Sequence, residues 1–403
     1  MPPRLVVLVL SMLLGIQPVT TDLYLPALPA LTAGFGASIA QAQQTLTALL
    51  LAFGASQLVW GPLSDYWGRR PILLLGLAAY IAAALASAFA PTMDWLVACR
   101  TVQGAAMGAS VMCARAIVRD LYTPADGARV MSRGLTGLGI IACASAPIGG
   151  LLSEWVGWRA ALLVLAVFGA ATLVLVAWRF RETAPPPDRR ALQPAVLLRT
   201  WSGIVRHPTF VAYSALSIAS YGGLFTFLAA SSFVFIGVFG LSKPQYGLVM
   251  FSMAVAYIAG TVLCRRWVAA WGVQRTVAVA AGLSLAGGST MGLLALLGVA
   301  NVWSILLPFY LFMLGHGVHQ PCGQSGAVGP FPQVAGAASA LNGFLMMVAA
   351  FAMGGWLGTR LQGGATALTH GLWFWSVCIA LAAWTLVQRH GQPVRPLAPQ
   401  EAA

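Results

Sequence analysis

Asp22 and Arg100 are charged residues set inside long apolar runs, and a charge at lipid depth survives only with a partner, with water or with a task. Asp22 stands in QPVTTDLYLPALP, far enough into the first apolar run to lie roughly 25 Å along a helix of ~1.5 Å rise. Pro18, Pro26 and Pro29 loosen that stretch and free backbone carbonyls. An acid there suits reversible protonation; the plainer reading is a helix cap at the outer interface. Arg100 stands in CRTVQGAAMGAS, where Gly104, Ala105, Gly108 and Ala109 make a face for close helix contact and Gln103 adds a polar group. It needs a carboxylate, carbonyls or water, or else it snorkels to the outer headgroups. Depth alone leaves open whether it meets Asp22. A third group is GPLSDYWGRR, Gly61 to Arg70. Asp65 and Arg69 are four apart, so they share a helical face and can pair. Arg119 and Asp120, in ARAIVRDLYTPADGAR, can join them in a network that biases a conformational equilibrium if it forms in one conformer only. The alternative is a solvated cluster of individually weak pairs. His316 and His319, in LFMLGHGVHQPCGQSG, either titrate near neutral pH or serve as hydrogen-bonding cavity residues. Tyr24, Tyr213, Tyr221, Phe225, Phe227 and Tyr257 either offer faces for flat apolar ligands or, by default, are packed or lipid-facing. No GxxxxGK[ST] loop is present, so ATP is not the energy source. The six cysteines form no C-x-x-C pair and the five histidines show no ligand spacing, so no metal site is expected.

These residues need elements to position them. Of 403 residues, 59% are hydrophobic and 8% charged, against about a quarter charged in soluble domains. This is the composition of an integral membrane protein, all-α because only helices satisfy their own backbone in lipid. The apolar runs allow roughly twelve spans of about 20 residues, placed at 5–31, 45–60, 71–90, 94–117, 130–152, 160–178, 208–237, 245–264, 275–297, 302–325, 336–359 and 368–388. Gly61 and Pro62 are expected to end the second span, and Pro71 to open the third. The fifth holds GLGIIACASAPIGG, whose Gly139, Pro147, Gly149 and Gly150 predict a kinked, tightly packed helix. The formal charge of +13 sits mostly in or beside alternate loops, with Arg100, Arg159, Lys243 and Arg360 as the exceptions. That asymmetry places both termini in the cytoplasm and makes anionic lipid, not nucleic acid, the basic residues' neighbour. The first run lacks a cleavage site and reads as a retained helix. Trp67-Gly68 recurs as Trp271-Gly272, 204 residues on, with Ala269 at the place of Asp65. The chain therefore divides into a six-helix bundle over 1–178, a proline-rich basic linker over 179–206 with a short surface helix near 197–204, a second six-helix bundle over 207–390, and a tail over 391–403. Paired repeats of this kind put a substrate site between the halves.

GPLSDYWGRR, CRTVQG and the glycine–proline stretch, in that order and topology, together resemble the drug:proton antiporters of the major facilitator superfamily. TTDLYLPALPAL and ARAIVRDLY narrow the resemblance to the bicyclomycin/chloramphenicol-resistance branch. It extends over nearly all twelve spans and is strongest from Asp22 to Arg159. It implies two pseudo-symmetric six-helix halves and proton-driven efflux of drug-like compounds by alternating access. Asp22 matches the acidic position of the first span, Arg100 the motif arginine of the fourth, and Asp65 the loop aspartate. Proton coupling is thus expected at Asp22 and Arg100. A conformational switch is expected at Gly61, Asp65, Gly68, Arg69, Arg70, Arg119 and Asp120, and a substrate cavity at Tyr24, Gln103, Tyr221, Phe225, His316 and His319. Ser145-Ala146 stands where the antiporter pattern has Gly-Pro, with Pro147 shifted by one, and Leu13 and Leu14 stand where some relatives carry a further acid. The expectation is a secondary active transporter, not an enzyme, in the bacterial inner membrane. It would be a monomer without cofactor that handles a small molecule, protons and lipid. The alternative is an exporter or proton-linked transporter of a metabolite such as an amino acid.

Overall fold

Backbone groups in lipid find no water, so a chain this apolar must close its hydrogen bonds within each segment. The computed structural model describes residues 2–122, 124–184, 194–361 and 364–391, and among them every regular element is helical. The first half holds α1 (Pro3–Asp22), a 3-10 turn (Leu25–Ala27), α2 (Leu28–Gly34), α3 (Ile39–Trp67), α4 (Arg69–Ala88), α5 (Met93–Leu121), α6 (Pro124–Trp155) and α7 (Trp158–Arg179). A short α8 (Pro194–Val205) covers the expected surface helix. The second half holds α9 (Pro208–Ser232), α10 (Lys243–Leu296), α11 (Val302–Val328), α12 (Ala335–Arg360), α13 (Thr366–Leu381) and α14 (Val387–His390). Eleven described segments are long and apolar enough to cross a membrane. One of them, α10, has 54 residues and breaks at Gly272, which makes twelve crossings. Residues 185–193 of the linker, with Arg189 and Arg190, and 392–403 of the tail lie outside the described residues.

The expected ten-residue loop at 61–70 is replaced by a single residue. Pro62 sits inside α3, which runs on to Trp67. Ser64 Oγ donates to the Gly61 carbonyl at 2.9 Å, and the Trp60 indole donates to the Ala105 carbonyl at 2.7 Å, so neighbours hold the helix through the proline. The chain turns at Gly68 (φ 96°, ψ 162°), and Gly272 repeats the geometry (φ 75°, ψ 172°). This left-handed conformation is strained for any residue with a Cβ. The repeat goes further. Ser38 and Gln41 form a reciprocal capping box at the start of α3, and Ser242 and Gln245, at the same offset, form one at the start of α10.

In the first half α3 packs on α5, α4 on α5 and α7, and α1 on α6; in the second, α10 packs on α11 and α13, and α9 on α11, α12 and α13. The halves meet along α3–α12 and α6–α10. Small residues make these seams. A Cβ on Gly150 would lie 2.5 Å from the Lys243 carbonyl oxygen, one on Gly247 would lie 2.8 Å from Pro147 Cα, and one on Gly149 would overlap the Leu23 carbonyl. Gly139 does not belong to the seam: nothing lies within 4 Å of the place its Cβ would take. It is a little over two turns before Pro147 and comes round to a different face. Pro147 itself sits inside α6 without ending it.

Candidate functional site

A cavity of about 340 Å³ lies between the halves. Asp22 is the one carboxylate on its wall among the described residues. It is the last residue of α1, before the chain turns through Leu23 and Tyr24 into the 3-10 turn, and its Oδ1 accepts a hydrogen bond from Thr21 Oγ1 at 2.8 Å. The second half supplies the opposite wall, aromatic through Tyr221, Phe225 and Tyr257 and thioether through methionines such as Met250 and Met346. Flat and adaptable side chains of these kinds fit varied apolar ligands. His316 joins that wall, its Nδ1 2.8 Å from Ser220 Oγ. Arg115 lines the cavity toward the end of the bundle that carries the arginine-rich turns, and its Nη1 donates to Ser339 Oγ on α12 at 2.9 Å, across the two halves.

Arg100 is not on the cavity wall. Its side chain is 0% exposed inside the first half, so it does not snorkel. Nη2 donates to the Thr20 carbonyl at 2.9 Å, Nη1 to Gln103 Oε1 at 2.6 Å, and the guanidinium lies 4.4 Å from the centre of the Tyr24 ring. No carboxylate pairs with it among the described residues. Its link to Asp22 is therefore indirect, through the last turn of α1. Three expected residues are absent from the cavity wall, two of them through this packing. Gln103 is turned to Arg100. Tyr24 lies under the guanidinium with its hydroxyl 2.9 Å from Thr45 Oγ1. His319, one residue before Gln320 on α11 and so about 100° round the helix, faces away from the cavity and is fully buried. Tyr221, Phe225 and His316 do line it.

At the arginine-rich end, Gly68 lets α4 begin directly after α3, and this folds Arg69 inward to 1% exposure. Arg69 Nη2 meets Asp65 Oδ1 at 2.6 Å and Nε meets Asp120 Oδ2 at 2.9 Å, while Nη1 donates to Ser64 Oγ at 2.6 Å. Arg119 closes the ring at 3.5 Å from Asp65 and 3.8 Å from Asp120, with 59% of its side chain exposed. Arg70 turns outward to donate to the Ala177 carbonyl of α7 at 2.9 Å. Gly61 adds the carbonyl that Ser64 binds. All these residues belong to the first half. Only Arg119 reaches toward the second, its Nη1 3.5 Å from where a Cβ on Gly336 would lie.

The sequence reading missed Glu182, just after α7. Its Oε1 accepts from the Arg69 amide at 2.9 Å and its Oε2 from the Arg70 amide at 3.0 Å. It thus caps α4, whose own N-cap, Gly68, has no side chain to do so. Burial pushes the Glu182 carboxyl up, but the amides of Ala184, Arg70, Arg69 and Thr183 outweigh this and hold it below the ordinary carboxylate range. The signal was a lone acid in the basic run RFRETAPPP. Arg115 was given no role either; its spacing, four before Arg119, places it one turn further inside α5.

Twelve crossings in two repeated bundles, with a mixed polar and aromatic cavity where the bundles meet, define a membrane transporter. The model of the Major Facilitator Superfamily matches residues 10–355, and the chain belongs to that family. It is 29% identical to a bicyclomycin resistance protein homolog of Haemophilus influenzae, over 86% of this chain and 87% of the relative. It is 30% identical to multidrug resistance protein D of Escherichia coli, over 85% of each chain. The crystal structure of a D-xylose-proton symporter shares the fold, with a TM-score of 0.70 at 15% identity over 95% of this chain and 97% of that one.

Proposed function

We propose that the chain exports small, partly apolar, drug-like compounds across the bacterial inner membrane in exchange for protons, by alternating access. One observation carries this: Asp22 is the one carboxylate, among the described residues, on a wall that is otherwise uncharged but for Arg115 and rich in aromatic and thioether side chains. A proton and a cationic or hydrogen-bond-donating ligand then compete for the same oxygens, and by linkage each weakens the other by the same factor. The names of the relatives support efflux of this kind. The proton gradient is the energy source, without a cofactor. The protein acts as a monomer on its ligand, protons and lipid, with no nucleic acid. The arginine-rich end and both termini face the cytoplasm. Arg115 is six residues from the end of α5 and Asp22 ends α1 at the other side, so the two charges are roughly 20 Å apart along the bundle at ~1.5 Å per residue. A free amino acid cannot touch both, whereas an elongated amphipath can, and this favours drug-like ligands over small metabolites.

The test is Asp22→Asn in proteoliposomes, with ligands found by a growth screen of expressing cells against toxic compounds. The variant should insert and still bind neutral ligands. It should lose uphill export, and its binding should no longer vary with pH. Wild-type export by the variant, or binding to the unmutated protein without proton release, would show that Asp22 is a structural cap and not the carrier.

A further inference from the structure

Two thiols meet inside the second half, away from the transport cavity. Cys264, on the first segment of α10, and Cys322, on α11, place their Sγ atoms 3.6 Å apart, and both side chains are buried. The helix packing holds them there. One turn before Cys264, a Cβ on Gly260 would overlap the Leu314 carbonyl oxygen, and a Cβ on Gly317 would lie 2.6 Å from the Tyr257 carbonyl oxygen and 2.8 Å from Gly260 Cα. Backbones in such close contact leave the next turn little freedom. Helical spacing returns the same faces four residues on: Cys264 Sγ lies 4.0 Å from the Val318 carbonyl and beside Cys322. A second cavity, of about 550 Å³, opens at the arginine-rich end, where Val273 stands at the repeat position of the buried Arg69. Cys322 lines it together with Trp271, Gln274 and Arg275, which gives small reagents a path to the pair.

We propose that Cys264 and Cys322 form a dithiol site that takes one thiophilic centre of the trivalent arsenical class. Two bonds of about 2.3 Å, the scale of a metal–thiolate bond, hold their sulfurs roughly 3.3–3.8 Å apart for angles of about 90–110°, which takes in a pyramidal trivalent centre, and the 3.6 Å found lies in that range. With a monosubstituted arsenic oxide, two As–S bonds form and the As–O bonds break. The oxygen leaves as water with the two thiol protons, and arsenic stays trivalent, so no oxidant or reductant takes part. Occupation staples α10 to α11, the helix that carries His316 to the transport cavity.

The experiment uses the full chain in detergent with phenylarsine oxide at one equivalent, followed by maleimide labelling of the remaining thiols and peptide mass mapping. Two thiols, Cys264 and Cys322, should be protected per arsenical bound. The adduct should resist excess monothiol and be released by a dithiol. Cys264→Ser and Cys322→Ser should each hold the arsenical roughly a hundredfold less tightly, as the second attachment is lost. The proposal is overturned if the protected cysteines are others, if monodisperse wild-type protein takes up no arsenical, or if both serine variants keep a monothiol-resistant adduct. The mapping on the wild-type chain decides the question even where a variant fails to fold. None of these readouts depends on transport, so they stand or fall apart from the efflux reading.

Discussion

A guanidinium buried from solvent and away from any carboxylate must be held by carbonyls and ring faces, and Arg100 is held in that way, by Thr20, Gln103 and Tyr24. Its removal strands partners that are buried from solvent. Arg100→Ala should therefore destabilise the protein by about 2–3 kcal/mol, the cost of leaving buried polar groups unmade. Arg100→Lys should restore little, because an ammonium cannot reproduce the planar fork that reaches both oxygens. Thermal unfolding in detergent reads both effects. A lysine variant as stable as wild type would mean that only the charge matters. Because Arg100 grips the last turn of α1, the loss should also loosen Asp22, and the pH dependence of ligand binding should change without any direct contact between the two.

At the scale of elements, the two inter-helix turns are one geometry with two supports. Gly68 and Gly272 both sit at positive φ, but Gly68 is also packed against the Glu182 carboxylate, 2.6 Å from where its Cβ would be, while Gly272 has open space. Gly272→Ala should cost about 1 kcal/mol, the backbone penalty alone. Gly68→Ala should cost more, since it also displaces the cap of α4; equal costs in chemical unfolding would contradict the crowding. Glu182 makes a prediction in pH. Its folded carboxyl is held below its unfolded value of about 4.3. Its stabilisation is thus present above that value and is lost as pH falls through the folded one. Glu182→Gln should lower stability at pH 7 by about 1 kcal/mol, the scale of a helix cap. The gap to wild type should then close on acidification toward pH 3. Amide exchange at Arg69 and Arg70 should follow the same course. A gap that persists at low pH would place the effect in packing and not in the charge.

For the whole molecule, the question is how the halves are held. Arg115 bonds Ser339 at the arginine-rich end. At the other end Lys243 donates to the Ser153 carbonyl at 2.9 Å and lies 3.5 Å from Glu154. Alternating access needs each of these closures to open in turn. Cysteine pairs replacing Arg115 with Ser339, and Glu154 with Lys243, should each cross-link on mild oxidation. Each cross-link should stop transport, and reduction should restore it. Transport that continues with either pair fully cross-linked would exclude rocking of one half against the other. Cysteine at Arg119, exposed at the arginine-rich end, should react with impermeant maleimide only from the cytoplasmic side, and cysteine at Ser38 only from outside.

Composition and apolar run length by themselves determined the membrane class and the helical crossings, because lipid leaves the backbone one solution. The recurrence of Trp-Gly at a fixed offset foretold the repeat, and Gly68 and Gly272 bear it out because each turn needs a residue without a Cβ. Asp65 and Arg69 do pair, as their spacing suggested, but not on one helical turn: the chain breaks between them at Gly68, and it is the fold-back of α4 on α3 that returns Arg69 to Asp65. What a side chain meets across helices was not legible. Spacing along one helix says nothing about which neighbour lies opposite, so Gln103, Tyr24 and His319 read as cavity residues and proved to be buried against Arg100 or within the second half. Pro62 looked like a helix end because its local cost is visible in the sequence, while the bonds of Trp60 and Ser64 that hold the helix past it are not. Glu182 lies 113 residues from the Arg69 amide it caps, and only the tertiary fold, by ending α7 beside the start of α4, brings that carboxylate to the helix that lacks a cap.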